Sequence, residues 1–243
     1  MSIGDAEIKT QERVIRFFKD PEILGYQYIG NLSDYQNKNI KEDRLRQYLR
    51  LKGYADKLID AAVMQLQQEA GNLSRGVYDA NKTVYSRLKY GIPVSESPEK
   101  PPVTVELIDE ANPLNNDFAV AEEVTVVEQQ EKRPDLVIYL NGIAVAVIEL
   151  KRSSISVSEG IRQNLTNQKD SFIRGFFTTM QFCMAGNESE GLRYGTLLTG
   201  EKFYMEWKDD GFKEHEEERD PVDVRISKTC EGIDNKLLKQ IYA

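Results

Sequence analysis

The most constraining stretch of the chain is Asp135-Leu-Val-Ile-Tyr-Leu140, Asn141-Gly142, then Ile143-Ala-Val-Ala-Val-Ile148. Asn-Gly between two apolar, largely β-branched runs is a strong short-range signal for a tight hairpin turn. The second run is apolar at both alternating positions, so as a strand it has to be covered on both faces. A chain that contains it needs a central sheet with helices on either side.

The flanking segments supply those helices. Residues 5–20 place Ile8, Val14, Ile15, Phe17 and Phe18 near helical spacing, and Asp20-Pro21 ends the run. Tyr26–Ile29 reads as a short strand or packed turn. Three helical stretches follow over Lys41–Lys52, Ala55–Ala70 and Val77–Tyr90, each stopped by a glycine suited to a left-handed cap, Gly53, Gly71 and Gly91. Residues 92–102 hold four prolines and read as an exposed connection. Strands are expected over Val103–Ile108, Phe118–Val127, Asp135–Leu140 and Ile143–Leu150, a helix over Ser156–Lys169, and apolar runs over Phe176–Ala185 and Tyr194–Leu198. The whole is an α/β sandwich of 243 residues, read as one domain: a helical portion over about 41–91, a core over about 5–30 plus 103–200, and an acidic tail over 206–243.

Charge and composition narrow the function. The net charge is −8, of which −5 lies between Glu206 and Arg225, where nine acids face four bases. That balance disfavours a domain that grips nucleic acid tightly by itself. Cys183 and Cys230 are the only cysteines and His215 the only histidine, which gives poor support to a disulfide framework, a zinc finger, or Ser–His–Asp or Cys–His machinery. No apolar run approaches the roughly 18 residues that span a bilayer, and no secretory signal opens the chain, so a soluble cytoplasmic protein without membrane contact is expected.

Chemistry concentrates at the open end of the hairpin, where Asp135 begins one strand and Glu149 and Lys151 share a face at the end of the next. A two-residue turn at Asn141-Gly142 pairs Leu140 with Ile143 and sends Asp135 to the opposite face. A three-residue loop with Gly142 in a bulge pairs Tyr139 with Ile143, putting Asp135 across from Val147 and on the face of Glu149. The bulged loop is the expected register, because it alone brings the charges together. Two converging carboxylates and an ammonium in apolar surroundings call for a hard divalent cation, Mg²⁺ above all. A structural ion pair at a strand end fits the same spacing.

Pro134-Asp135 followed by Glu149-Leu150-Lys151 resembles the PD-(D/E)-x-K signature of restriction-endonuclease-like nucleases. The segments Tyr78–Tyr85, Leu107–Pro113, Asn116–Phe118, Arg133–Tyr139, Gly160–Gln163, Phe176-Phe177, Ala185–Asn187 and Gly191–Thr196 are similar, in order, to the N-terminal region of the R subunit of type I restriction–modification enzymes. The resemblance implies a restriction-endonuclease-like mixed β-sheet flanked by helices, with an N-terminal helical portion. It implies a type I site-specific deoxyribonuclease domain that needs Mg²⁺ and acts on double-stranded DNA. Catalysis would rest on Asp135, Glu149 and Lys151, with the metal held by Asp135, Glu149, the main-chain carbonyl of Leu150 and, from the first helix, Glu7 in preference to Glu12. Gln163 matches the glutamine of a family Q-x-x-x-Y motif whose tyrosine position is here Asn167; Gln163 and Gln168 are expected to contact phosphate or brace the site. Cleavage would occur remote from the recognition sequence, after ATP-driven translocation by motor domains. The chain has no Gly-x-x-x-x-Gly-Lys-[Ser/Thr] loop and is expected to be a fragment that stops where those motors begin, so ATP concerns the full-length subunit alone. Methyltransferase (M) and specificity (S) subunits are the implied partners. Two rivals are a nuclease-like domain with a degraded site that docks the motor onto the methyltransferase core, and a free-standing nuclease of the same superfamily. The basic residues of the helical portion, Arg44, Arg46, Arg50, Lys52, Arg75, Lys82, Arg87 and Lys89, make it the part best suited to approach DNA or a partner, unless they are ordinary helix surface. His215, in an acidic run, reads as solvated. Trp207, Phe203 and Tyr204 read as packing under the tail rather than as a base-stacking platform.

Overall fold

The computed structural model describes residues 3–95, 97, 99–207 and Leu237; the side chains of residues 3–7 lie outside that description. The elements run α1 (Ile3–Lys19), β1 (Gln27–Asn31), α2 (Glu42–Leu51), α3 (Asp56–Gly71), α4 (Val77–Tyr90), β2 (Ile92–Val94), β3 (Val103–Val105), β4 (Phe118–Glu122), β5 (Val126–Val127), β6 (Glu131–Lys132), β7 (Leu136–Leu140), β8 (Ile143–Leu150), α5 (Val157–Asn167), β9 (Phe182–Asn187), β10 (Gly191–Gly195) and β11 (Met205–Glu206). A 3₁₀ turn covers Arg174–Thr179. None of these helices is long and apolar enough to cross a membrane.

Seven strands form a mixed sheet in the order β1-β4-β7-β8-β9-β10-β11, with β1 parallel to β4 and β8 parallel to β9. Strand β8, apolar from Ile143 to Ile148, is central, as its composition demands. On one face α1 packs Val14, Ile15 and Phe18 against Val120, Leu136, Ile148 and Leu150. On the other, Ala119, Ala121, Val137, Tyr139 and Val147 meet Val77 of α4 and Ile173, Phe176, Phe177 and Met180 around the 3₁₀ turn. The α5 residues Val157 and Ile161 cover Ala185 of β9. A separate core joins α2, α3 and α4 to β2, β3 and Ile143 at the hairpin's closed end.

That closed end differs from the expected register. Leu140 pairs with Ile143, and the turn is the two-residue Asn141-Gly142 with φ of 51° and 82°, the primed geometry that matches strand twist. The turn is plugged into the helical portion: Lys41 N donates to Gly142 O at 2.7 Å. A Cβ on Gly142 would fall 2.6 Å from Lys41 O and 2.8 Å from Leu45 N. The extra residue sits further along. Tyr139 pairs with Ala144 but Ile138 pairs with Ala146, which leaves Val145 as a bulge in β8. Val145 packs against the helical core, and its carbonyl accepts from Gln181 N at 2.7 Å. The bulge restores what the two-residue turn takes away. Beyond it the register is Leu136 with Ile148, so Asp135 falls opposite Glu149 rather than Val147, and on the same face.

Other expectations also shift. Ile92–Val94, within the stretch read as an exposed connection, is a strand whose Ile92 and Val94 are buried against β3. The valine-rich stretch 118–127 is two strands, interrupted where Glu123 adopts φ 50°. Gly53 and Gly91 have left-handed φ, whereas Gly71 lies inside the last turn of α3. The apolar run from Phe176 begins as 3₁₀ turn and becomes strand only at Phe182.

Candidate active site

Asp135 is fixed by its backbone and by its side chain. Where β4 ends, the left-handed Glu123 turns the chain so that two successive amides reach across: Glu123 N donates to Asp135 O at 2.9 Å and Val124 N to Pro134 O at 3.0 Å. The Asp135 carboxylate then accepts from Leu150 N through Oδ2 at 2.7 Å. Glu149 is wholly buried behind it. The α5 helix closes tightly over this position because Gly160 has no side chain; a Cβ there would lie 2.9 Å from Ala185 Cβ and 3.4 Å from both Glu149 Cβ and Glu149 O. Lys151 anchors its amide on Gly186 O at 2.9 Å. Its Nζ donates to Leu150 O at 3.0 Å and stands 3.9 Å from Asp135 Oδ2.

The three charged groups named from the sequence therefore meet at one end of the β7–β8 hairpin. Among the described residues, neither carboxylate oxygen of Glu149 accepts from an N–H or hydroxyl group; the Asp135 carboxyl is its close neighbour. Burial pushes its carboxyl well above the ordinary carboxylate range, the charge of Asp135 adds to that, and Lys151 opposes it. A buried carboxylate without a donor beside a second carboxylate is costly unless it is protonated or meets a cation. Asp135, Glu149 and the Leu150 carbonyl offer oxygen donors alone, which suits a hard divalent ion such as Mg²⁺. Among the described residues no group of three or more His, Cys, Asp or Glu side chains is placed to hold a metal ion, so a main-chain oxygen has to complete the set.

The other sequence candidates separate from this group. The Glu7 side chain lies outside the described residues, and so does His215. Glu12 is exposed, its carbonyl taken by Arg16 Nε at 3.4 Å. Gln163 is partly exposed on α5, and no hydrogen bond links it to Asp135, Glu149 or Lys151 among the described residues. Gln168 is 2% exposed and tied into the fold: its Oε1 accepts from Leu198 N at 2.7 Å and its Nε2 lies 3.6 Å from Cys183 Sγ. Trp207 packs edge-on against Tyr194 and Phe182, while Phe203 is exposed.

Sequence reasoning missed the layer around Asp135. Gln11, buried on α1, donates from Nε2 to Glu122 at 3.0 Å and Glu123 at 3.1 Å. Arg133 Nε pairs with Glu123 Oε2 at 2.7 Å, and Glu123 adds to the field at Glu149. The adjacent acids Glu122-Glu123 at the end of an apolar run are the one sequence signal that pointed there.

Comparison with known proteins covers most of the chain. A family model described as "Type I restriction enzyme R protein N terminus" matches residues 7–203. Over 97 residues the chain is 34% identical to a protein of Methanocaldococcus jannaschii named "Putative type I restriction enzyme MjaIXP endonuclease subunit". That alignment takes in 37% of this chain and 9% of the relative's length.

Proposed function

The chain belongs to the family of type I restriction enzyme R protein N termini, and from that membership we propose that it is a Mg²⁺-dependent endonuclease domain that hydrolyses DNA phosphodiesters. The observation that carries this reading is Glu149, wholly buried, without an N–H or hydroxyl donor among the described residues, and set against Asp135 and Lys151. Asp135, Glu149 and the Leu150 carbonyl would hold the ion. Once bound, it would supply Lewis acidity toward a phosphate oxygen and favour ionisation of a water.

The remaining work falls to the chain's own groups. The Leu150 amide fixes one oxygen of Asp135, so that carboxylate presents its other oxygen in a set direction. Lys151 is oriented by Leu150 O and stands beside Asp135, from where its ammonium can order the attacking water or steady charge developing on the phosphate. Glu149 must be ionised to serve as a ligand, against the burial that favours its neutral form.

In the larger assembly, this reading places cleavage remote from the recognition sequence, after ATP-driven translocation by motor domains, with M and S subunits choosing and marking the site. The test is Glu149→Ala and, separately, Lys151→Ala in the assembled enzyme. DNA cleavage should fall at least about a hundredfold while assembly, ATP hydrolysis and translocation persist. Unchanged cleavage would refute the catalytic assignment and leave the domain a docking element between motor and methyltransferase core.

A further inference from the structure

Seven of the eight basic residues of the helical portion divide into two sets; the eighth, Arg75, is exposed in the turn before α4. Arg44 pairs with Asp117, Arg46 with Glu42 and Asp60, Arg50 with Asp56, Lys52 with Asp109 and Arg87 with Glu69. These cations are spent on the fold. Lys82 and Lys89 of α4 are exposed, and among the described residues no carboxylate lies within ion-pair distance of either.

Those two lysines do not stand alone. Tyr78, Lys82, Tyr85 and Lys89 follow one another at helical spacings of four, three and four residues, which sets them on one face of α4. Tyr78 is 59% exposed and Tyr85 47%, so both rings and their hydroxyls are open to a partner. Just beyond them, Tyr90 is 69% exposed, with Lys89 Nζ 5.5 Å from its ring centre. The opposite side of α4 holds the helix in place: Val77, Ala80, Val84 and Leu88 are buried, and Asn81 Nδ2 donates to Thr178 O at 3.0 Å and Met180 O at 2.8 Å. Among the described residues the stripe is thus an exposed face that alternates aromatic hydroxyl groups with ammonium groups that have no carboxylate partner. Asp79 is the acid nearest in sequence, and it leaves the face net positive on a chain of net charge −8.

We propose that the Tyr78–Lys82–Tyr85–Lys89 face of α4 is a docking surface for the phosphate backbone of duplex DNA. Charge complementarity selects the occupant: unpaired ammonium groups favour a polyanion, and tyrosine hydroxyls donate to phosphate oxygens without reading sequence. From Tyr78 to Lys89 the helix rises about 16 Å. That length follows about four or five phosphates of one strand at the ~3.4 Å axial spacing of B-DNA. The face lies away from the carboxylates, since Asn81 fastens α4 to the segment preceding β9, which runs beside the start of β8, whereas Glu149 is near the end of β8. It would grip DNA and take no part in bond cleavage. The inference rests on the DNA-processing reading above.

The test is fluorescence anisotropy of the whole chain with a labelled 30-base-pair duplex, in EDTA, across a salt series. Wild type should bind weakly, with Kd in the range of about 10⁻⁴–10⁻⁶ M. Lys82→Ala with Lys89→Ala should lower the magnitude of the log–log salt slope by about 2, while Arg46→Ala with Arg50→Ala, which removes equal charge from paired positions, should leave it nearly unchanged. Tyr78→Phe with Tyr85→Phe should weaken binding several-fold without changing the slope. Equal losses from both charge-removing pairs, or no loss from the lysine pair, would overturn the proposal; so would absence of binding, which would point to a protein partner for this face. Because EDTA suppresses cleavage, the outcome is independent of the Glu149→Ala test of the catalytic assignment.

Discussion

Glu149→Gln should make the metal-free protein more stable. In the wild type a wholly buried carboxyl, without a donor and facing Asp135, is held above the ordinary carboxylate range. The folded state therefore keeps this proton at pH values where the unfolded chain has lost it. Its contribution is most favourable below the unfolded value near 4.5 and is lost as pH rises from there toward the raised folded value. Glutamine keeps the shape, carries no charge, and offers Asp135 an N–H. Removing an unsatisfied buried group of this kind is worth on the order of 1–3 kcal/mol. At about 2–4 °C per kcal/mol for a chain of this size, Tm in EDTA at pH 7.5 should rise by about 2–12 °C. Mn²⁺ reverses the ranking. At a hundred times its Kd it should add about 2.7 kcal/mol to the wild type and almost nothing to the variant. Differential scanning fluorimetry with and without Mn²⁺ measures both. A variant that melts at or below the wild-type temperature in EDTA refutes the burial reasoning, and equal Mn²⁺ stabilisation of the two proteins refutes the site.

Three further outcomes follow from neighbouring geometry. Gly160→Ala should cost about 1–3 kcal/mol by urea denaturation, because the new Cβ meets Ala185 Cβ at 2.9 Å, and it should weaken Mn²⁺ binding as α5 lifts from Glu149. Asn141→Ala should cost roughly 2–4 kcal/mol on the same assay: the buried amide donates to Leu107 O and Asn116 Oδ1, accepts from Asp117 N, and sits at φ 51°. Asp109 is held down to about 2, chiefly by Lys52 with help from Asn115 and the Asn112 amide. Its contribution is complete above the ordinary aspartate value and is lost as pH falls toward 2, so urea midpoints of wild type and Asp109→Asn should converge between about pH 4 and 2.

The hairpin, its two-sided burial and the convergence of Asp135, Glu149 and Lys151 are legible in the sequence, because Asn-Gly marks the turn and β8 has no polar phase. That same lack of polar phase hides the bulge. With every residue from Ile143 to Ile148 apolar, no alternation records where the strand slips by one position. The left-handed Glu123 is hidden for a related reason: valines on both sides make the run look continuous, and the turn exists to present two amides to Pro134 and Asp135, which only the third dimension reveals. Among the basic residues, Arg46 with Glu42 is visible at helical spacing, but Arg44 with Asp117 and Lys52 with Asp109 are long-range pairs. The prolines around Ile92–Val94 argue for a loop, yet Pro93 is exposed between two buried neighbours and costs a short outlying ribbon little.

The bulge at Val145 also makes the nuclease reading unusually sensitive to chain length. Upstream of it, odd and even residues of β8 face one way; downstream, the assignment is reversed relative to the turn. Deleting Val145 would remove the bulge and keep Asp135 opposite Glu149, because the bulge exists to absorb that residue. Adding one apolar residue within Ala144–Ala146, with the single bulge kept, would leave the same turn and nearly the same composition, yet bring Ile148 opposite Asp135 and turn Glu149 into the layer under α1. A single-codon gain at a site with no catalytic side chain would thus act as a frameshift in three dimensions, undoing the proposed chemistry while leaving a hairpin still able to fold.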